Sequence, residues 1–130
     1  GTSFDELQRG LAALGHSHRQ FGDLLARSAA EDADDDAIRA TLEEALAQIG
    51  EAVVVFAALG DDALDSRTGA ELAAGWLESD LSRPGDAAAR ARAVLAAYDG
   101  AGDSDETAQG RRAEAEQLLQ VVEEQGAEAE

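Results

Sequence analysis

From Phe4 to Leu25 the large apolar side chains recur at steps of three and four: Phe4, Leu7, Leu11, Leu14, Phe21 and Leu25, with His18 filling the remaining place in the series. That spacing is one face of a 3.6-residue helix, and a half-buried strand, which alternates every second residue, cannot produce it. The pattern returns along the chain. Ile38, Leu42, Ala45, Ile49, Val53 and Phe56 form a second stripe. Leu72, Trp76, Leu77 and Leu81 form a third, Ala87, Ala91, Val94, Leu95 and Tyr98 a fourth, and Leu118, Leu119, Val121 and Val122 a fifth. Ala, Leu, Glu, Arg and Gln dominate, and these are strong helix formers. The chain reads as all-α.

Local signals set the expected boundaries. Ser3 and Glu6 are spaced as a capping box, which predicts a first helix over 4–30. Gly10, Gly15 and Gly22 weaken that helix by about 1 kcal/mol each against Ala, and mark close packing or a bend. Asp34, Asp35 and Asp36 suit the start of a second helix, because a carboxylate there accepts free backbone N–H groups and faces the positive end of the helix dipole. Gly60 ends it. The run Val53-Val54-Val55 predicts a helix end buried on most sides. Asp61 and Asp62 cap a turn or open a loop reaching Gly69, and Thr68 with Glu71 reads as a second capping box starting a third helix over 68–82. Pro84-Gly85 breaks that helix. A fourth covers 86–99, a polar loop follows, and a fifth covers 105–125. The tail 126–130 has little to bury and is expected to fray.

One domain is expected over 4–125, a bundle of four to five helices, mostly antiparallel because the loops are short. A chain of 130 residues buries about two-thirds of its unfolded surface, enough to fold without disulfide or metal staples. Phe4, Phe21, Phe56, Trp76 and Tyr98 are expected to be the large pieces of one shared core.

Charge narrows the function classes. Asp and Glu number 28 against 10 basic residues, all Arg, for a net charge of −18 and an isoelectric point near 4.2. Such a balance argues against nucleic acid and against anionic membrane surfaces, both of which reward clustered positive charge. Basic proteins and cations are the partners this field attracts. Solubility, or adaptation to a salty cytoplasm, accounts for the same charge. The absence of Lys and the abundance of Ala fit a GC-rich bacterial genome. There is no Cys, so disulfides, thiolate metal sites and Cys nucleophiles are excluded. The longest apolar run, Ala52 to Leu59, is too short to span a bilayer. No basic segment precedes an apolar signal-like stretch. A soluble, cytoplasmic protein is expected, with export that needs no classical signal peptide also compatible.

Residues 31–44, EDADDDAIRATLEE, hold the densest acidic cluster. Read as a calcium loop starting at Asp32, the register supplies Asp32, Asp34, Asp36 and Glu43 at ligand positions. Ala37 stands where that loop needs a glycine, and the segment already reads as helix from there. A second register from Asp103, through Asp105, Thr107 and Glu114, fails in the same way at Ala108. Helix capping beside a solvated acidic loop is the simpler account of both. His16 and His18 point about 200° apart on a helix and cannot chelate one ion. His18, on the apolar stripe, is expected to be a core-edge residue making one hydrogen bond, and His16 to be exposed. Arg90, Arg92, Arg111 and Arg112 are placed to pair with acids of neighbouring helices. No phosphate loop follows a strand and no residue set assembles a nucleophile with its base, so no enzyme is expected and no cofactor is implied.

The stretch from Gly60 through Trp76 to Tyr98 resembles helical proteins of the WXG100 type. The resemblance implies a secreted two-helix hairpin that dimerises and carries a Tyr-x-x-x-acid export signal. The chain departs from it where Leu77-Glu78 follow Trp76, where the acid after Tyr98 is Asp103, one place late, and where the first helix has no counterpart. The first two helices also resemble the long helices of BAR domains, but this chain lacks their basic faces.

The expected function is therefore a non-catalytic interaction module, of the inhibitor, immunity or adaptor kind, that binds a basic protein or a partner helix. The partner-binding acids are Asp32, Asp34, Asp35, Asp36, Asp61 and Asp62, taken to share one end of the bundle. A WXG100-like secreted protein and a metal- or ligand-binding bundle are the alternatives, and homodimerisation is open in each.

Overall fold

Every apolar stripe becomes a helix. The computed structural model describes residues 2–32, 34–102 and 104–129. Among them α1 spans Thr2–Ala29, α2 Asp35–Leu59, α3 Leu64–Asp80, α4 Pro84–Ala97 and α5 Glu106–Ala129, with a 3₁₀ turn at Gly60–Ala63. There is no strand among the described residues, and the fold is the expected all-α bundle.

The ends of α2 follow their signals. Asp34 is extended (φ −145°, ψ 168°) and its carboxylate accepts the Ala37 N–H at 2.8 Å. Gly60, at φ +77°, turns the chain out of the helix in a conformation that side chains other than hydrogen resist. Two other signals do not operate. Ser3 lies inside α1, so the Ser3–Glu6 capping box does not form. The 3₁₀ turn coils straight into α3, which starts four residues before Thr68. Thr68 is therefore a buried residue of the second turn of α3, not a cap. At the other end of the chain, α5 runs on to Ala129, past the expected stop at Gln125, and Glu130 lies outside the described residues.

The centre of the molecule is α3, covered on two sides. Ala70, Ala74 and Leu77 pack on Ala45, Ile49, Ala52, Val53 and Phe56 of α2. Leu72 packs on Ala87, Ala91 and Val94 of α4 and on Ala115, Leu118 and Val122 of α5. At Gly75 a Cβ would stand 2.6 Å from Leu118, so the missing side chain is what admits α5. The order across the molecule is α1, α2, α3, and then α4 and α5 together. α1 is the outermost helix: it packs along α2 and has no comparable contact with any other helix.

This arrangement corrects two expectations. The aromatics do not share one core. Phe56 and Tyr98 are buried and Trp76 is half-buried, whereas Phe4 and Phe21 are exposed. The valine run is not covered on most sides either. Val53 is buried, but Val54 points away from every neighbour at 63% exposure.

Candidate functional site

The approach of α1 to α2 is made by residues with almost no side chain. Gly15, Gly22 and Ala29 recur at seven-residue intervals and are buried. A Cβ at Gly15 would stand 2.6 Å from a ring carbon of Phe56, and one at Gly22 only 2.4 Å from Ile49 Cγ1 and 3.1 Å from the Ala45 carbonyl oxygen. Gly15 and Gly22 are thus contact points, and α2 runs antiparallel across them; Gly10, where a Cβ would meet nothing, is not one. Beside the contact, His18 is half-buried with Nδ1 2.8 Å from Gln48 Oε1, and exposed His16 meets Phe56 in a tilted contact, ring centroids 5.0 Å apart and planes at 59°.

Because small residues make the closest approach, the large ones divide: Leu11 and Leu25 are half-buried, Leu25 against the core, while the others turn outward. Leu14 and Phe21 each precede a contact glycine by one residue and so stand about 100° round the helix from it, as Leu7 does from the next position of that face. Leu7 is 60% exposed, Leu14 46% and Phe21 49%, and Phe4 and Leu24 flank the row at 59% and 55%. An exposed apolar row of this kind along one side of a helix marks an interaction site more often than a solvent face. Sequence periodicity located the stripe and assigned it to the core. The signal that separates the two readings is the seven-residue recurrence of Gly15, Gly22 and Ala29 one step further round.

Charge on α1 is unlike charge elsewhere. Asp5, Glu6 and Asp23 balance Arg9, Arg19 and Arg27, so the whole net charge of −18 falls on the rest of the chain. Arg19 Nε bonds both carboxylate oxygens of Asp23 at 3.1 Å. At 100° per residue, five of the six charged residues lie on the far side of the helix from the Leu7–Leu14–Phe21 row, and only Glu6 is near its edge.

The acids expected to bind a partner do not share one end. α2 has 25 residues, about 37 Å at 1.5 Å per residue, and it separates Asp34, Asp35 and Asp36 from Asp61 and Asp62. Asp35 and Asp36 line an open cleft of about 260 Å³ with Asp80, Arg39 and Leu81. Nearby, Arg83 pairs with Glu43. Asp61 and Asp62 line a cleft of about 450 Å³ at the opposite end, together with Asp65, Asp99 and Asp105, which no spacing along the chain places beside them. The calcium-loop register is not assembled: Asp34 caps α2, Asp36 belongs to its first turn and Glu43 is held by Arg83. Among the described residues no three His, Asp or Glu side chains converge as a cation requires. Asp103, first in the second register, lies outside the described residues, while Asp105 caps α5 by accepting the Ala108 N–H at 3.0 Å.

Buried polar groups hold the helices in register. Tyr98, which the WXG100 resemblance offers as an export residue, is 4% exposed. Its hydroxyl donates to Asp65 and lies 2.7 Å from Thr68 Oγ1, and burial pushes its pKa up. Trp76 lies within α3, not at a hairpin turn, and donates to Glu114 of α5. Glu78 is buried and pairs with Arg90 at 3.2 Å; burial holds its carboxyl above the ordinary range, against the pull of that guanidinium. Glu71 is raised for the same reason. Of the other arginines, Arg111 donates to the Asp65 carbonyl in the first turn of α3 and Arg112 to those of Tyr98 and Ala101 after α4, so both anchor backbone instead of pairing with acids.

No described helix is long and apolar enough to cross a membrane. No family model matches the chain, and neither a curated protein nor a solved structure matches it.

Proposed function

We propose that this chain is a non-catalytic protein–protein interaction module whose binding face is the open side of α1. One observation carries the reading: Phe4, Leu7, Leu14, Phe21 and Leu24 stand exposed on the one helix that packs against a single neighbour. A partner helix laid along this face removes that apolar surface from water, at roughly 25 cal/mol per Å². Two of the groups whose acidity burial shifts are tied up inside the bundle and favour the non-catalytic part of the reading, while a third, Asp80, lines the open cleft beside Asp35 and Asp36. Glu78 is committed to Arg90 and Tyr98 to Asp65, inside the bundle.

The test compares what the tagged chain and a Leu7→Gln/Leu14→Gln/Phe21→Gln variant capture from lysate of the source organism. These side chains do not support the isolated fold, so the variant is expected to keep its helical circular dichroism and lose the captured partner. Identical capture by both proteins refutes the reading.

A second reading rests on the cleft lined by Asp61, Asp62, Asp65, Asp99 and Asp105, which suits a Lys or Arg of a basic protein. Asp34 to Asp36, at the far end, form a separate patch of the same kind. Changing Asp61 and Asp62 to Asn is expected to weaken such a partner and flatten its salt dependence. An unchanged salt slope refutes this second reading and leaves the α1 reading standing.

A further inference from the structure

Resting on the α1 reading above, we infer that the occupant of that face is a second copy of this chain, its own α1 lying antiparallel across the first with the two-fold axis at Leu14.

Three observations select a second copy. The first is position. A two-fold axis perpendicular to a helix pairs residue i of one copy with residue j of the other at constant i + j. With the axis at Leu14, Leu14 meets its own counterpart, Leu7 meets the partner's Phe21, and Phe4 and the partner's Leu24 stand at one height on opposite rims. All five large exposed apolar residues of α1 are used, each aromatic level with a leucine, and none is left over. A partner of unrelated sequence gives no reason for the exposed set to be symmetric about its own middle member.

The second observation is charge. Two copies carrying −18 each repel wherever acidic surfaces meet, and α1 is where they do not: its net charge is zero, and its charged residues, Glu6 apart, turn away from the row. A basic partner finds a single acid, Glu6, at the edge of the row. A second α1 needs none.

The third is area. About half of each of five large apolar side chains is open, at most about 500 Å² per copy from these residues. Covered completely, the two copies would bury up to about 1,000 Å², and Ala13, Ser17 and other flanking atoms add to what the rims leave open, which brings the pair to the size of a small specific interface. Gly10 adds room along the same edge, since a Cβ there meets nothing within the chain.

The chain has no cysteine, so single cysteines report the arrangement without interference. Three variants are made: Leu14→Cys, Leu7→Cys and Phe21→Cys. Under mild oxidation Leu14→Cys is expected to cross-link to itself. Two copies of Leu7→Cys hold their thiols about 21 Å apart along the pair and do not cross-link, and the same holds for Phe21→Cys. A mixture of Leu7→Cys with Phe21→Cys does cross-link. In sedimentation, the unmodified chain is expected to dimerise across the micromolar range. Leu14→Glu, which sets two carboxylates against each other at the axis, raises the dissociation constant about 30-fold or more, as loss of a central hot spot does. Self-cross-linking at all three positions overturns the antiparallel arrangement. A monomer at every concentration overturns the second copy. In that case the lysate comparison still decides whether α1 binds anything, so the two readings fail separately.

Discussion

Gly22→Ala measures how closely α1 is set against α2. In an exposed helix interior this change stabilises by up to about 1 kcal/mol, because alanine has the better helix propensity. Here the new methyl would lie 2.4 Å from Ile49 Cγ1 and 3.1 Å from the Ala45 carbonyl oxygen. Ile49 is 1% exposed and has nowhere to turn, and the carbonyl belongs to the backbone of α2. Relief therefore requires the two helices to part along their shared length, and overpacking of that kind costs about 1–3 kcal/mol. With both obstacles rigid, the cost falls near the upper figure. Set against the propensity gain, the net loss is about 2 kcal/mol. For a chain of this size that lowers the melting temperature by roughly 6–10 °C. Thermal unfolding followed at 222 nm provides the assay. Gly110→Ala, on an exposed part of α5 where a Cβ meets nothing, is the control and is expected to raise the melting temperature by a few degrees. If Gly22→Ala also raises it, α1 does not sit on α2 through its glycines, and the outward placement of Leu14 and Phe21 falls with that contact.

Three further changes examine the interior and the caps. Tyr98→Phe removes a buried hydroxyl that bonds Asp65 and Thr68 and is expected to cost about 2 kcal/mol by urea titration; an unchanged midpoint would show that the hydroxyl is idle. Glu71 and Glu78 have folded-state pKa values raised above 4.5 by burial, so the native state takes up their protons first, and stability is expected to rise as pH falls from neutral toward 4.5. Glu78→Gln should flatten that rise, and an equal slope in wild type and variant counts against the buried carboxyl as its source. Asp34→Ala removes the α2 cap and is expected to cost about 1 kcal/mol, whereas Asp34→Asn, which keeps an accepting oxygen, costs little; equal losses would mean that charge, not capping, matters there.

The helices were legible because their stripes are long and their breakers few. Asp34 and Gly60 bound α2 where the sequence places them, since each acts through local backbone geometry. Thr68 misled because a capping box is a spacing that interior residues also satisfy. What decided the start of α3 was the 3₁₀ turn coiling into Leu64, and no side chain announces that. The candidate site was half legible. The Leu7–Leu14–Phe21 row could be read from periodicity, but which way it faced could not, because periodicity finds an apolar face without naming its neighbour. Gly15 and Gly22 could be read as marks of close packing or of a bend, and the close packing is found at both, but glycine adds nothing to hydrophobicity, so the pattern did not say that they, and not Leu14 and Phe21, face α2. The acids of the 450 Å³ cleft were hidden for a different reason. Asp65, Asp99 and Asp105 belong to separate segments of the chain, and only the packing of α3, α4 and α5 brings them to one end.

Ionic strength separates the two modes of association within one titration, because the charge is divided so unevenly. At about 0.01 M salt the screening length is about 30 Å, and two copies of net charge −18 oppose each other's approach over most of their width. At about 1 M it is about 3 Å, and that opposition is gone. The α1 seam has no ion pair to lose, since its charges are balanced within the helix and directed away from the row. Its apolar contacts strengthen further in salts such as sulfate. Dimerisation is therefore expected to tighten as salt is added. A basic protein held at the Asp61–Asp62 cleft has the opposite dependence, because screening removes the attraction that brings it there. Sedimentation of the chain alone, from low salt to high, reads the first effect; the same series with a basic partner reads the second. Dissociation of the dimer on adding salt would mean that ion pairs join the copies, and a seam formed by Leu7, Leu14 and Phe21 offers none.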